Sequence, residues 1–591
     1  MYSGAMLQGS KMELLAAICD YTAWSGNNTT ELIFSNTFTV ENSTRDWSTN
    51  WSEGGQTDYY SEVNINDNYQ GSGFSTGALT VGVGKELEVN VDETVLVERT
   101  VDNSGIIVLN NGASLMQYTD ESNTGNGNYI VKRNSTEMSS EGVYTYWSSP
   151  VSSSTLGDVV DAQLYYSFDN TLTEPWVLET AATNMVTGVG YATIGPATGT
   201  YPLVHTAIFE TANGGSLNNG NITVSLDYSN VGNNYNLLGN PYPSAIDAEV
   251  FVRLNNSVLE GTLYFWTHNS VDTGQNTTND YVFWNLSGGN VGSCGDCVTP
   301  DGKIASGQGF FAQAISNGEV KFKNSMRIRA SGNNNEFYKA AEGNLSLEKD
   351  RIWLNLNTGT DFSQLLIGFF PEATDGIDAR YDGVRMTTSG LNFFSPLEDT
   401  YLAILGKSPL KQNELIPLGY ESSAPSENTI SISNIEGQLR NSVIQLHDLS
   451  ANVIHNLKNG PYVFTSDNSE ELNRFQLEII SDIEIYEFED DEDDVDESDT
   501  EGGDELGIED RETSSEPDLL IIPSEKYIKL VSSYSAIKSL AVYTILGSQM
   551  SWEMVDFDKN EMTIEIEKQE QLLLLKIELE NGIEQVKSII Y

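Results

Sequence analysis

The chain has 591 residues, of which 39% are hydrophobic and 51 are Gly, and its 30 Lys and Arg stand against 85 Asp and Glu for a formal charge of −55. That length fits roughly three to five domains, and the Gly content, with abundant Asn, Ser and Thr, fits many short strands and turns rather than helices. The charge argues against nucleic acid or an anionic membrane surface as partner and favours divalent cations or basic partners, while no apolar run of about 20 residues could cross a membrane as a helix.

The first element, residues 1–20, fits no leader. Leu14 to Cys19 is apolar but too short for a signal-peptide core, Lys11 alone is a poor basic region, and Ile18 sits where a lipoprotein signal needs a small residue. It reads as a non-native or truncated start. Residues 21–149 form a β-rich domain. Leu79-Thr80-Val81, Leu87 to Val91, Val95 to Val97, Ile107 to Leu109 and Ala113 to Leu115 are short apolar runs separated by Gly, Asn and Asp. Alternation over three to five residues, repeated so tightly, predicts the stacked rungs of a β-solenoid, with a β-meander as the competing reading. Trp24, Trp47, Trp51 and Trp147 could stack on sugar rings or pack in the core.

Residues 150–345 predict a β-sandwich. Its aromatic strands include Leu263 to Trp266 and Tyr281 to Trp284, and Ser244 to Leu254 is the best helical segment, with Asp247 and Glu249 near its start. Of the three cysteines, Cys19 is isolated. Cys294 and Cys297 form a CxxC with no second pair and no nearby His, which suits a local disulfide clamping a Gly-rich loop better than zinc; unpaired thiols are the alternative. Residues 346–481 predict a second sandwich, with Ile352 to Leu356 and Leu365 to Phe369 as facing strands. Asp375, Asp378 and Asp382 gather three carboxylates in one loop. Calcium takes about six to eight oxygens, often from such loops, so this is the candidate metal site, although the spacing is not that of an EF-hand; ion pairing in a solvated turn competes.

Residues 482–518 hold twenty Asp and Glu against Arg511 alone. Self-repulsion at that density predicts a disordered acidic linker. Residues 519–591 regain apolar order in five or six candidate strands, the last two joined at Asn581-Gly582, and predict a small C-terminal β-sandwich. The fold class is therefore all-β: a solenoid-like region, two sandwiches and a tethered terminal sandwich.

No catalytic set emerges. The four histidines, His205, His268, His447 and His455, have no nucleophile elbow to serve, and among 85 acids no glycosidase pair can be singled out. The expected protein is not an enzyme and needs no cofactor beyond the candidate calcium.

Several motifs in order carry a resemblance. Asn236 to Asp247 (NLLGNPYPSAID), Gly261 to Asn269, Ile304 to Phe311, Asn324 to Arg327, Arg351 to Leu356, Tyr381 to Gly383 and Pro417 to Tyr420, with Tyr144 to Pro150 and Gly112 to Leu115 upstream, resemble large surface proteins of Bacteroidetes exported by the type IX secretion system. The tail is similar to the type C sorting domain of that system at Leu540, Val542, Tyr543 and Gly547, and at the closing hairpin around Asn581 and Gly582. The resemblance implies a non-enzymatic secreted or cell-surface protein of adhesion or matrix type, with the type IX translocon as partner and an extracellular glycan or surface as candidate ligand. A carbohydrate-binding or carbohydrate-active extracellular protein is the alternative.

Overall fold

The structure, a computed structural model, describes residues 44–48, 61–481 and 519–590, except 212–213, 229–233, 268–279, 296, 329–333, 335–348, 386–389 and 467–468 in the larger part and 524–526, 533–535, 545–548, 551, 559–560, 567–571 and 580–583 in the smaller. The N-terminal 1–20 segment and the acidic 482–518 run lie outside the described residues. The chain divides into two compact units, Met1–Glu484 and Ile485–Tyr591. The described parts of both are built almost wholly of strands, and no described helix is long and apolar enough to cross a membrane.

The larger unit opens with a parallel, three-sided solenoid. One side stacks Thr44–Trp47, Glu62–Ile65, Ala78–Val81 and Val101–Asn103. The second stacks Tyr69–Gly71, Glu86–Val89, Ile106–Leu109 and Asn128–Asn134, and the third Ser75–Thr76, Thr94–Val97 and Ser114–Gln117. Alternate side chains point inward, so Val63, Leu79 and Val101 form one buried ladder and Leu87, Ile107 and Tyr129 another. The corners need left-handed backbone, which Gly84 (φ +68°) and Gly112 (φ +77°) adopt without a side-chain clash. Parallel stacking ends where Thr206–Glu210 pairs antiparallel with Asn128–Asn134.

No boundary between cores falls at residue 149. The solenoid core continues through Trp147, Val151, Leu156, Val159, Phe209 and Ala305, because the apolar end of the last rung is closed by these residues. Beyond it lie two antiparallel sheets. One orders Tyr144–Trp147, Tyr191–Pro196, Ala162–Phe168 and Trp176–Glu179; the other orders Tyr235–Gly239, Gly309–Ala314, Leu259–Trp266, Tyr281–Asn285 and Gly288–Asn290. The unbroken apolar runs at 263–266 and 281–284 follow from burial on both faces. Phe265, Val282, Trp284 and Phe310 enter one core, and Tyr264, Trp266, Phe283 and Phe311 enter another. The helix runs Ala248–Leu254 and starts later than the sequence predicts. Ile246–Asp247 pairs with Lys303–Ile304 instead, and Asp247 caps the helix by accepting from Glu249 N (2.8 Å) and Val250 N (3.2 Å).

Residues 350–480 form a single eleven-stranded sheet rather than two separate facing sheets. Nearly every strand contributes to one core, so the sheet rolls over on itself. Phe464, on the terminal strand Tyr462–Ser466, meets Phe475, near the opposite end of the strand order, with ring centroids 4.7 Å apart. The strands Asp350–Asn357 and Phe362–Phe369, expected to face one another, are instead antiparallel neighbours in this sheet, and the core lies between two halves of the one curled sheet. In the smaller unit, Leu519–Pro523, Tyr527–Ser532, Glu561–Glu565 and Glu553–Asp558 form one sheet, and Gln549–Met550, Ile537–Thr544, Leu572–Leu579 and Glu584–Ile590 the other. They enclose Ile528, Leu530, Val542, Ile564, Leu575 and Ile577.

Candidate functional site

Among the described residues of the larger unit, an aromatic face is partly open to solvent. Strand alternation puts Tyr144 and Tyr146 on one side of the four-stranded sheet. The register Tyr146↔Ala192↔Tyr166↔Leu178, with Phe168↔Trp176 beside it, carries that side across all four strands. The rings meet mostly edge to face. Phe168 lies 5.0 Å from Trp176 and 4.8 Å from Phe311, and Trp266 lies 5.0 Å from Tyr281. Tyr146 Oη and Tyr281 Oη are 2.8 Å apart and tie the two sheets. Tyr146 and Phe311 are buried, whereas Tyr144, Tyr166, Phe168, Tyr235 and Tyr281 are only half-buried. Trp176 is 37% exposed, Leu164 38% and Leu178 63%. Burial raises the Tyr166 phenol above its ordinary value, with Tyr144 adding to the effect.

Sequence reasoning missed this face. Of its four tryptophan candidates, Trp147 is 1% exposed and belongs to the solenoid core. Trp47 donates from Nε1 to Asn68 O (3.1 Å) and packs edge-on to Tyr69. Trp24 and Trp51 lie outside the described residues. The signal was the alternation Leu164, Tyr166, Phe168, followed by Trp176 and Leu178 at the same period.

The candidate calcium loop is corrected. Asp375 bonds Lys407 Nζ (2.9 Å), Lys411 Nζ (2.6 Å) and Ser408 Oγ (2.9 Å), and the two lysines hold its carboxyl well below the usual range. Asp378 accepts from Thr374 N (2.5 Å), and Asp382 accepts from Asp378 N (2.7 Å) and Gly406 N (2.8 Å). Each carboxylate is spent on a lysine or a backbone donor, so the three do not converge. Among the described residues no group of three or more His, Cys, Asp or Glu is arranged to hold a metal ion.

The same loop contacts an unexpected pair. Thr262 Oγ1 donates to Asp382 O (3.1 Å), which places Asp382 against the strand that carries Glu260. Burial, the larger cause, and the neighbouring acid push Glu260 up to about 7; burial also pushes Asp382 up to about 7, against two backbone donors that pull it down. Cys294 and Cys297 are closed as a disulfide with Cα atoms 5.4 Å apart, and both pack at the core beside Phe362. His205 lies against Trp147, with burial lowering its pKa. His447 Nε2 sits 2.8 Å from Glu478, and His455 Nε2 sits 2.8 Å from Gly460 O. His268 lies outside the described residues.

Of the sorting-signal candidates, Leu540 and Val542 are buried in the terminal core opposite Ile577 and Leu575. The Tyr543 backbone pairs with Leu574. Gly547, Asn581 and Gly582 lie outside the described residues, although the strands flanking Asn581 and Gly582 pair antiparallel, Glu578 opposite Glu584.

Two buried arginines differ sharply. Arg327 donates to Ser244 Oγ (2.9 Å), Asn219 Oδ1 (3.2 Å), Asn324 Oδ1 (3.3 Å) and Leu115 O, and lies 5.0 Å over the Tyr242 ring, stapling the solenoid to the sheets beyond it. Arg133 points into the solenoid end with 0% exposure, and none of its three guanidinium nitrogens has a hydrogen-bond acceptor among the described residues. Burial holds its pKa down to about 9, with Asp92 opposing.

A family model described as Domain of unknown function (DUF8693) matches residues 38–479, and a second, Domain of unknown function (DUF8694), matches residues 506–591. These spans follow the two compact units. No curated protein matches the chain. Among solved structures, one marsupial T cell receptor chain is 11% identical over 43% of this chain and 94% of its own, and another is 10% identical over 63% and 99%, each with a TM-score of 0.10.

Proposed function

We propose, for a chain that belongs to the DUF8693 family, the role of a non-enzymatic secreted or cell-surface β-protein of adhesion or matrix type, exported by the type IX system through its C-terminal unit. The observation that carries this reading is the separate eight-stranded unit 519–590, with its own core, set behind twenty acidic residues. A terminal domain on a charged tether is what export machinery needs if it is to find the end of a chain independently of the cargo. The Cys294–Cys297 disulfide supports the same reading, since such bonds persist in oxidising compartments.

The test supplies a Sec signal and compares a fluorescent cargo fused to residues 484–591 with the cargo alone in a type IX-competent host. Appearance at the surface or in the medium only with the tail is the expected result. Retention of the fusion in the periplasm sinks the export reading. The alternative, an extracellular carbohydrate-binding protein, is favoured by the aromatic face and is compatible with the same export route.

A further inference from the structure

The aromatic face has a charge environment that selects its occupant. From residue 134 to residue 252 the chain contains no Lys or Arg, yet it contains eleven Asp and Glu. All four strands of the sheet lie in this stretch, among them the three that carry Tyr144, Tyr166, Phe168, Trp176 and Leu178. A polyanion would meet only repulsion there, because nothing on the sheet can neutralise it. A second feature is the edge. The strand Trp176–Glu179 pairs on one side only, so Trp176 and Leu178 stand at an open margin where soluble proteins seldom leave apolar groups clustered. Beside the exposed aliphatic Leu164 and Leu178, the partly open groups are the Trp176 indole and the Tyr144 and Tyr166 phenols. Such rings present an apolar body with a polar tip.

We propose that this face binds an uncharged, hydroxyl-rich glycan, whose C–H surfaces lie on the Trp176 and Tyr166 rings and whose hydroxyls meet the phenol tips. The proposal deepens the carbohydrate-binding side of the functional reading, and its test needs no export. The full chain is run in native gels containing neutral polysaccharides (β-glucan, xylan, galactomannan) or acidic ones (polygalacturonate, alginate). At least one neutral polysaccharide retards it, and the acidic ones do not. Trp176→Ala and Tyr166→Ala each weaken that retardation about tenfold or more, as loss of an aromatic anchor does, while Trp176→Phe restores most of it. Both positions are partly open to solvent, and unchanged melting of each variant confirms that the fold survives. The proposal is overturned if no neutral polysaccharide retards the chain, if retardation survives both Ala substitutions, if acidic polysaccharides bind more tightly, or if the face instead mediates concentration-dependent self-association that Trp176→Ala abolishes. A chain that binds glycan but fails the export assay keeps this site and loses only the secretion reading.

Discussion

Replacing Arg133 by Met should stabilise the larger unit, whereas replacing Arg327 by Leu should damage it. Both guanidinium groups are buried, but their surroundings differ in the term that decides the sign. Arg133 keeps its desolvation cost with no hydrogen-bond acceptor among the described residues to offset it, and Asp92 helps through its field. Exchanging a poorly compensated buried ion for an apolar side chain of similar volume gains about 1–4 kcal/mol. Met keeps the unbranched stem that lies beside Gly307 and Phe209. Unfolding entropy of roughly 2.1 cal/mol/K per residue, over about 420 residues, turns 3 kcal/mol into a rise of about 3 °C. Arg327→Leu strips Leu115 O, Asn219 and Ser244 of a donor and should cost about 3–5 kcal/mol, a fall of similar size or larger. Calorimetry of the full chain at pH 7 reads both as shifts of the larger transition. A fall in melting temperature for Arg133→Met would refute the reasoning, because it would mean that an acceptor, such as a bound anion or water, engages the guanidinium.

Glu260→Gln should stabilise the fold by about 2–3 kcal/mol above pH 7 and by less than about 1 kcal/mol near pH 5. The folded pKa, about 7, lies above the unfolded one, so the native state holds a proton that the unfolded chain releases, and stability from this group falls as pH rises from the unfolded value toward 7. Urea unfolding at the two pH values checks it, and an equal gain at both would contradict the burial argument. In the Asp375 loop, Asp382→Ala should cost about 2–4 kcal/mol by leaving the Asp378 and Gly406 donors unpaired, while Asp375→Asn, at a half-exposed carboxylate whose amide can still accept from the lysines, should cost under about 1 kcal/mol. Millimolar calcium should not move the melting temperature of the unaltered chain; a clear rise would restore the metal reading.

The solenoid was legible because its signal is local. Leu87 and Val89, or Ile107 and Leu109, alternate within one strand, and alternation needs no knowledge of distant residues. Its three-sided form was not, since that depends on which corners stack. The expected break at residue 149 failed for a related reason. Tyr144–Trp147 serves two cores at once, Trp147 toward the solenoid and Tyr146 toward the aromatic cluster, and a strand used on both faces leaves no boundary in composition. The carboxylates 375, 378 and 382 were visible as a group, but the lysines that claim Asp375 lie more than thirty residues later, and only the folded sheet brings them back. The aromatic face was hidden similarly. Each of its strands reads as an ordinary half-buried strand, and only their register shows that the open halves join.

The placement of the few cations ties these results together. With 30 Lys and Arg against 85 acids, several described cations sit where separate segments meet. Arg327 reaches Leu115 in the solenoid. Arg351 binds Glu436 and Ser287 O and lies over Trp353. Arg385 pairs with Glu421 and lies over Phe394 and Tyr401, and Arg474 holds Asp448 and the Phe464 and Phe475 rings. Each uses both its charge and its flat π-surface, which Lys could not do as well. A chain that places arginines in these joints leaves the 144–196 sheet with aromatic rings and acids but no cation. An anionic partner is therefore disfavoured on that sheet by the same distribution of charge that closes the joints elsewhere, and the remaining chemistry of the face, rings edged with hydroxyls, suits a neutral sugar.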